Sequence, residues 1–481
     1  MIPVSLQWIT EKVSGHLQAG DGELVIPCSV LAKTAMHGMV RIDSRTIQPG
    51  DVFIAIKGPN HDGHDFADAV AEAGAIAIIC STPVAAEIPQ ILVDDTHQAL
   101  GALAAAVKAE VQLKSCAITG SSGKTTVKEM VATILRQAKS VQGKVLATAG
   151  NFNNDIGVPL TLLELTHEHE YGVFELGANH RGEIAYTTSL VKPDVALINN
   201  IAPAHVEGFG DICGVVKAKT EIFRGLGEQG IAITNADSDF HEYWLRELEG
   251  KNHHTFGLNA ELADVSATDI ELDSDGCASF TLHVDAQTTP VKLAVPGRHN
   301  VKNALAAIAI CRGLGIQLAE IVSGFGAMPT VPGRMNVHTP APGIRVIDDT
   351  YNANVGSAKA AIDVLASLPG KRIFVFGDMG ELGTQARAYH EEVGAHAITA
   401  GIDGLFTLGV LSQSASEIFN GHGGRHFDSA ESIVGALLEL IAEGGDVTIL
   451  VKGSRSSRME RIVESLLAVD LQPYLQGKAA C

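Results

Sequence analysis

The stretch "SCAITGSSGKTTVKEM", residues 115–130, constrains this chain more than any other. It reads as an apolar strand, a glycine-rich turn and a helix, the order that aims backbone N–H groups and a positive helix N-terminus at a phosphate. Such a loop needs a mostly parallel sheet to carry it, with helices on the faces. The spacing is not the common one. That pattern wants a glycine five residues before the Gly-Lys pair, where this chain has Ile118, and Gly120 stands only three before Gly123. Gly120, Ser121, Ser122, Gly123, Lys124, Thr125 and Thr126 are the candidate nucleotide ligands. Lys124 would reach the β- and γ-phosphates, and Thr125 would offer its hydroxyl to Mg²⁺. The alternative is an ordinary Gly-Ser turn with Lys124 in solvent; the agreement of strand, Gly-Lys-Thr-Thr and helix weighs against it.

At 481 residues the chain is too long for one core, and typical domain sizes suggest about three. The first region, 1–112, alternates strand-like runs with a Pro-Gly turn in "VRIDSRTIQPGDVFIAIKG", and "FADAVAEAGAIAIIC" is a helix feeding a buried strand. The second, 113–331, holds the phosphate loop and the later strands "YGVFELG" and "DVALINNI". Its segment "ADVSATDIELDSDGCASFTLHVD" alternates like an antiparallel hairpin with an Asp-Gly turn, expected to decorate the sheet ahead of the helix "NVKNALAAIAICRGLG". The third, 332–481, repeats strand-then-helix units, "IRVIDDT", "RIFVFGD", "GLFTLG" and "VTILVKG". The fold class is α/β throughout.

A net charge of -20 excludes a nucleic-acid backbone as an expected partner, although a loop and a helix N-terminus can still bind phosphate locally. The seven cysteines are scattered singly, so neither a zinc site nor a disulfide framework is expected. The start "MIPVSLQWITEKVSG" has no basic, then apolar, signal pattern, and no apolar run approaches the roughly 18 residues of a membrane span. A cytoplasmic protein without membrane insertion is expected.

Open α/β sheets bind ligands beyond the C-terminal ends of their strands. Two polar residues fall there: Glu175 in "VFELGANH" and His205 in "LINNIAPAHVEGF". A carboxylate and an imidazole beside Thr125 would complete metal sites, though a lone histidine after a strand is more often a loop hydrogen-bonder. The segment "GVVKAKTEIFRGL" reads as a helix with Lys217 and Lys219 in its first turns, where lysine is most often solvated.

Taken in order, "TGSSGKTT", "FELGANH", "AHVEGFG", "AKTEIF", "PGRHNVKNALAA" and "PGRM" resemble the ATP-dependent Mur ligases of peptidoglycan synthesis, a family that uses the shorter loop, and the likeness covers nearly the whole chain. "DSRTIQPGDVFIAIKGPNHDGHDF", "GNFNNDIGVPLTLLEL", "DDTYNANVGSAKAAIDVL" and "FGDMGELG" are similar to the branch that adds D-alanyl-D-alanine to UDP-N-acetylmuramoyl-tripeptide. The resemblance implies a UDP-sugar-binding N-terminal domain, a central ATPase domain and a C-terminal Rossmann-like domain that closes over the site in a monomer. It places Thr125, Glu175, His205 and Lys219 in the environment of two Mg²⁺ ions, with Lys219 at the family's carbamylated lysine and Lys217 as the plain alternative. A neutral amine that captures CO₂ becomes an oxygen ligand, so this lysine must spend time deprotonated.

The same resemblance puts Asn300 and Asn303 near the adenine, where a helix cap and a polar turn residue would be the ordinary reading. Arg334 and Asp349 would meet the nucleotide after closure, as against a surface charge and a cap for the following helix. Ser44 and Arg45 would belong to the uridine-diphosphate site. Asn151, Asn153 and Asn154 would face the UDP-sugar peptide, or satisfy buried backbone. Asn352 and Asn354 would face the dipeptide. Two departures stand out: Ser121-Ser122 replaces a Thr-x pair of many relatives, in agreement with this branch, and Val355 stands where the branch commonly has proline.

Overall fold

The computed structural model describes residues 1–18, 35–36, 38–203, 206–328 and 330–476. Its centre is a nine-stranded sheet. Seven parallel strands run in the order Lys144–Ala147, His169–Glu175, Lys114–Thr119, Val195–Ile198, Ile231–Asn235, Asn252–Gly257 and Val265–Leu272. Strands such as Val195–Ile198 are buried along their whole length, as a parallel sheet covered on both faces requires. The chain leaves Lys114–Thr119 toward one side of the sheet and later returns on the other, so the crevice of a strand-order reversal opens at the end of this strand. Register fixes what surrounds it, because Glu175 pairs with Ile118 and Ile198 with Thr119.

Two antiparallel strands, Cys277–Val284 and Gln287–Pro296, extend the sheet at its far edge. The expected Asp-Gly turn is there, with Gly276 at φ +77°. The second turn, Asp285-Ala286, also takes left-handed conformations (φ +49° and +57°) with no glycine to announce it.

Helices Lys124–Gln137 and His299–Gly313 cover one face of the central sheet in a core containing Val127, Val131, Val301 and Leu305. The other face shares a core with the N-terminal unit, through Leu100, Leu103 and Val107 of helix Thr96–Glu110 and through Ala117, Phe174 and Ala196 of the sheet. That unit has a five-stranded sheet ordered His16–Gln18, Gln90–Leu92, Ala77–Cys80, Val52–Ile54 and Val40–Arg41, antiparallel only at the first pair. A six-stranded sheet forms the C-terminal unit. Asn336–Ala341 is its antiparallel edge, followed by Ile344–Asp349, Val447–Lys452, Lys371–Gly377, Gly404–Leu408 and Gly424–Phe427, all parallel. Among the described residues no helix is long and apolar enough to cross a membrane.

Candidate active site

The phosphate loop bends through two left-handed glycines, Gly120 at φ +152° and Gly123 at φ +74°. Side chains from the next strand's end pin it. Ser122 donates its N–H to Asn200 Oδ1 (2.8 Å), and Asn199 and Asn200 each donate an amide to the Ser122 carbonyl (3.0 Å). Asn199 also donates to Asn303 Oδ1 (3.0 Å), tying the loop to helix His299–Gly313. A Cβ on Gly123 would stand 2.5 Å from both Asn199 Nδ2 and Asn303 Oδ1. We therefore expect Gly123→Ala to cost about 2 kcal/mol of stability and to weaken ADP binding. An unchanged melting temperature with unchanged ADP titration would refute the pinned loop.

Lys124 opens the following helix and donates from Nζ to the Gly120 carbonyl (2.8 Å), so its ammonium lies curled into the loop. Burial lowers its pKa, Arg334 adds to that, and Glu175 opposes it. Thr125 donates its hydroxyl to Glu175 Oε2 (2.9 Å), while Asn153 donates to Glu175 Oε1 (2.8 Å). Glu175 thus joins the phosphate loop to the asparagine-rich segment. Arg334 arrives from the far side, with Nη2 3.3 Å from Thr125 Oγ1 and Cζ 4.3 Å from the centre of the Tyr351 ring.

The helix carrying the two lysines is Ile212–Thr220, with Asp211 as its N-cap, and it ends in a tight turn over Glu221–Gly225. Lys217 and Lys219 therefore sit in the last turn, not the first turns. The start is set by the Asp211 side chain accepting from Gly214 N (2.7 Å), a signal that precedes the apolar run. The two residues point in opposite directions. Lys217 is exposed, whereas Lys219 is 1 % exposed, with its pKa pushed well below the ordinary lysine value by burial and by the Lys124 charge. His205 lies outside the described residues.

Between the central and C-terminal units opens a cavity of about 560 Å³ lined by residues of both. Ser122, Gly123, Thr126, Asn300, Asn303, Arg334 and Asp349 all reach it. Asn300 is no cap: it lies inside the first turn, donates to the Pro296 carbonyl (2.7 Å) and accepts from Asn303 (2.8 Å). Asp349 is no cap either; it pairs with the buried Lys452 (2.6 Å), whose pKa burial lowers against the carboxylate's pull. The cap of helix Val355–Ser367 is Asn354, in a reciprocal box with Ser357, and its amide also donates to the Ser121 carbonyl (3.2 Å). Val355 occupies the first helical position, where proline is favoured because that N–H has no helical partner. The box fixes the turn that proline would have fixed. Asn352 is exposed and accepts from Ala353 N.

At the seam with the N-terminal unit, Asn151 is exposed and Asn154 accepts from Gly157 N (2.8 Å). Beside them Asp155 meets His97 of helix Thr96–Glu110 (3.1 Å). Ser44 is half-buried and Arg45 exposed, its guanidinium paired with Asp43 (2.7 Å). Neither is brought against the phosphate loop. Sequence reasoning missed Asn199, Asn200, Tyr351 and Lys452. The two asparagines follow directly on a strand end beside the loop, a signal that was present; the pairing of Lys452 with Asp349 depends on register between strands about a hundred residues apart.

Comparison with known proteins finds relatives along nearly the whole chain. Residues 37–108 match the model of the Mur ligase family catalytic domain, 118–311 the Mur ligase middle domain and 333–455 the Mur ligase glutamate ligase domain. The chain is 46% identical over 466 residues to UDP-N-acetylmuramoyl-tripeptide--D-alanyl-D-alanine ligase of Escherichia coli strain K12, covering 97% of this chain and 99% of that one. The Bacillus subtilis strain 168 protein of the same description is 34% identical over 97% and 99%. A crystal structure of MurF from Acinetobacter baumannii superposes with TM-score 0.90 at 38% identity, covering 97% and 99%. MurF ligase from Thermotoga maritima in complex with ADP does so with TM-score 0.79 at 30% identity, covering 89% and 97%. The chain belongs to the Mur ligase family.

Proposed function

We propose that this chain joins D-alanyl-D-alanine to UDP-N-acetylmuramoyl-tripeptide with cleavage of ATP to ADP and phosphate, completing the UDP-linked pentapeptide precursor of peptidoglycan. The observation that carries the reading is the meeting of Lys124, Thr125, Glu175 and Arg334 at one loop, in a chain alike from end to end to ligases of that description. Residues 1–112 would hold the UDP-sugar, with Ser44 and Arg45 at the diphosphate. Residues 113–331 would hold ATP and the tripeptide, with Asn151, Asn153 and Asn154 toward the peptide. Residues 332–481 would bring the dipeptide past Asn352 and Asn354.

The chemistry divides into two substitutions. A carboxylate oxygen of the tripeptide attacks the γ-phosphorus, an O–P bond forms, and ADP leaves. The dipeptide's amine then attacks the acyl carbon, loses a proton, and inorganic phosphate departs through a tetrahedral intermediate. The first step needs positioning and charge neutralisation more than covalent help, and Lys124, Arg334 and the loop N–H groups not already bonded to Asn200 would give both. Asn300 and Asn303 would grip the base; they line the same cavity as Asp349. Closure of the two units would shield the acyl phosphate from hydrolysis.

Thr125 and Glu175 offer hard oxygen donors 2.9 Å apart, the kind that Mg²⁺ takes. When bound, Mg²⁺ would neutralise the phosphate oxygens. Lys219, buried and with a depressed pKa, fits a side chain that is carbamylated to face a second ion, and His205 completes the proposed set. The test is phosphate release from ATP and Mg²⁺ with the two acceptor substrates added singly and together. Release that requires both, with formation of the UDP-linked pentapeptide, is expected. Release independent of either, or satisfied by a single amino acid, would overturn the reading.

A further inference from the structure

Arg334 is aimed by a ring and not by a carboxylate. Its backbone is clasped to residue 351: Tyr351 donates its N–H to the Gly333 carbonyl (3.1 Å), and a Cβ on Gly333, at φ +68°, would stand 2.9 Å from Tyr351 N. The clasp places the Tyr351 ring 4.3 Å from the guanidinium carbon, with Nη2 directed at Thr125 Oγ1. Arg334 Nε is buried with no partner, and among the described residues no carboxylate forms an ion pair with Arg334. The distinction matters chemically. A carboxylate would orient the guanidinium and also cancel the charge that a transferring phosphoryl group needs, whereas an aromatic face orients it and leaves the charge available.

We propose that Tyr351 is a positioning residue that holds the Arg334 guanidinium, uncompensated, toward the γ-phosphoryl group of bound ATP. This rests on the reading of the loop as an ATP site in the ligase reaction given above. Tyr351 acts through Arg334 and need not touch the nucleotide. The ring is the working part, so phenylalanine should serve and an aliphatic side chain of similar bulk should not.

The experiment is calorimetric binding of ADP and of a non-hydrolysable ATP analogue, with Mg²⁺, to the parent, Tyr351→Leu and Tyr351→Phe, alongside kcat and KM for ATP. Tyr351→Leu is expected to bind the analogue about tenfold more weakly while ADP affinity stays within about twofold, and to lower kcat more than it raises KM. Tyr351→Phe should recover most of both losses. Unchanged analogue affinity in Tyr351→Leu would overturn the proposal. So would equal weakening of ADP and analogue, or a Tyr351→Phe protein as impaired as Tyr351→Leu. The binding comparison does not depend on which acceptor is used, so a parent that binds nucleotide but makes no pentapeptide would count against the ligase reading alone.

Discussion

We expect Lys124→Ala to fold normally and to lose roughly a thousandfold in turnover, equivalent to about 4 kcal/mol of transition-state stabilisation. The fold should survive because, among the described residues, Nζ makes a single hydrogen bond, to the Gly120 carbonyl at the mouth of the loop. Its burial already disfavours the charged form, so removing the ammonium relieves a cost of folding while surrendering one bond. Activity should fall because no other side chain can take its place. Arg334 approaches from the Thr125 side, and burial and the Lys124 charge both disfavour a positive charge on Lys219. A circular-dichroism melt with a coupled phosphate assay decides the matter. A folded variant that still ligates would remove the loop from the mechanism.

Lys219→Ala is expected to reduce turnover by about a hundredfold or more, and added formate or acetate should restore part of it by supplying the lost oxygen ligand. An unaffected rate would exclude a carbamate at this position. A pH experiment separates the roles further. Burial holds the folded-state pKa of Lys219 below the unfolded value of about 10.4, so the unfolded chain binds more protons and stability from this group rises with pH toward that value. In bicarbonate-free buffer Lys219→Met should therefore be at least as stable as the parent near pH 6, with the advantage shrinking toward pH 10. A variant markedly less stable at pH 6 would mean that the ammonium has a partner in the folded protein.

Much of this architecture was legible before the structure, and the reason is local. The phosphate loop, the strand ending at Glu175 and the Asp-Gly hairpin each follow from signals inside a dozen residues. The direction of Lys217 against Lys219 was not legible, because two lysines on one helix differ only in which side of it neighbours such as helix Glu183–Val191 cover. The same limit explains Asp349, readable as a cap until strand register sets it beside Lys452. Tyr351 carried no signal at all; its role depends on a left-handed Gly333 that brings two distant backbones together.

The cavity walls come from two bodies of the chain, and this has a thermodynamic consequence. Any ligand that favours the spacing at which Arg334 and Asn354 reach the phosphate loop must tighten nucleotide binding, and nucleotide must tighten that ligand by the same factor. Nucleotide dissociation then becomes a gauge of what occupies the acceptor side. A small molecule wedged between Asn354 and Ser121 would stop the enzyme by expelling ATP, without resembling any of its substrates.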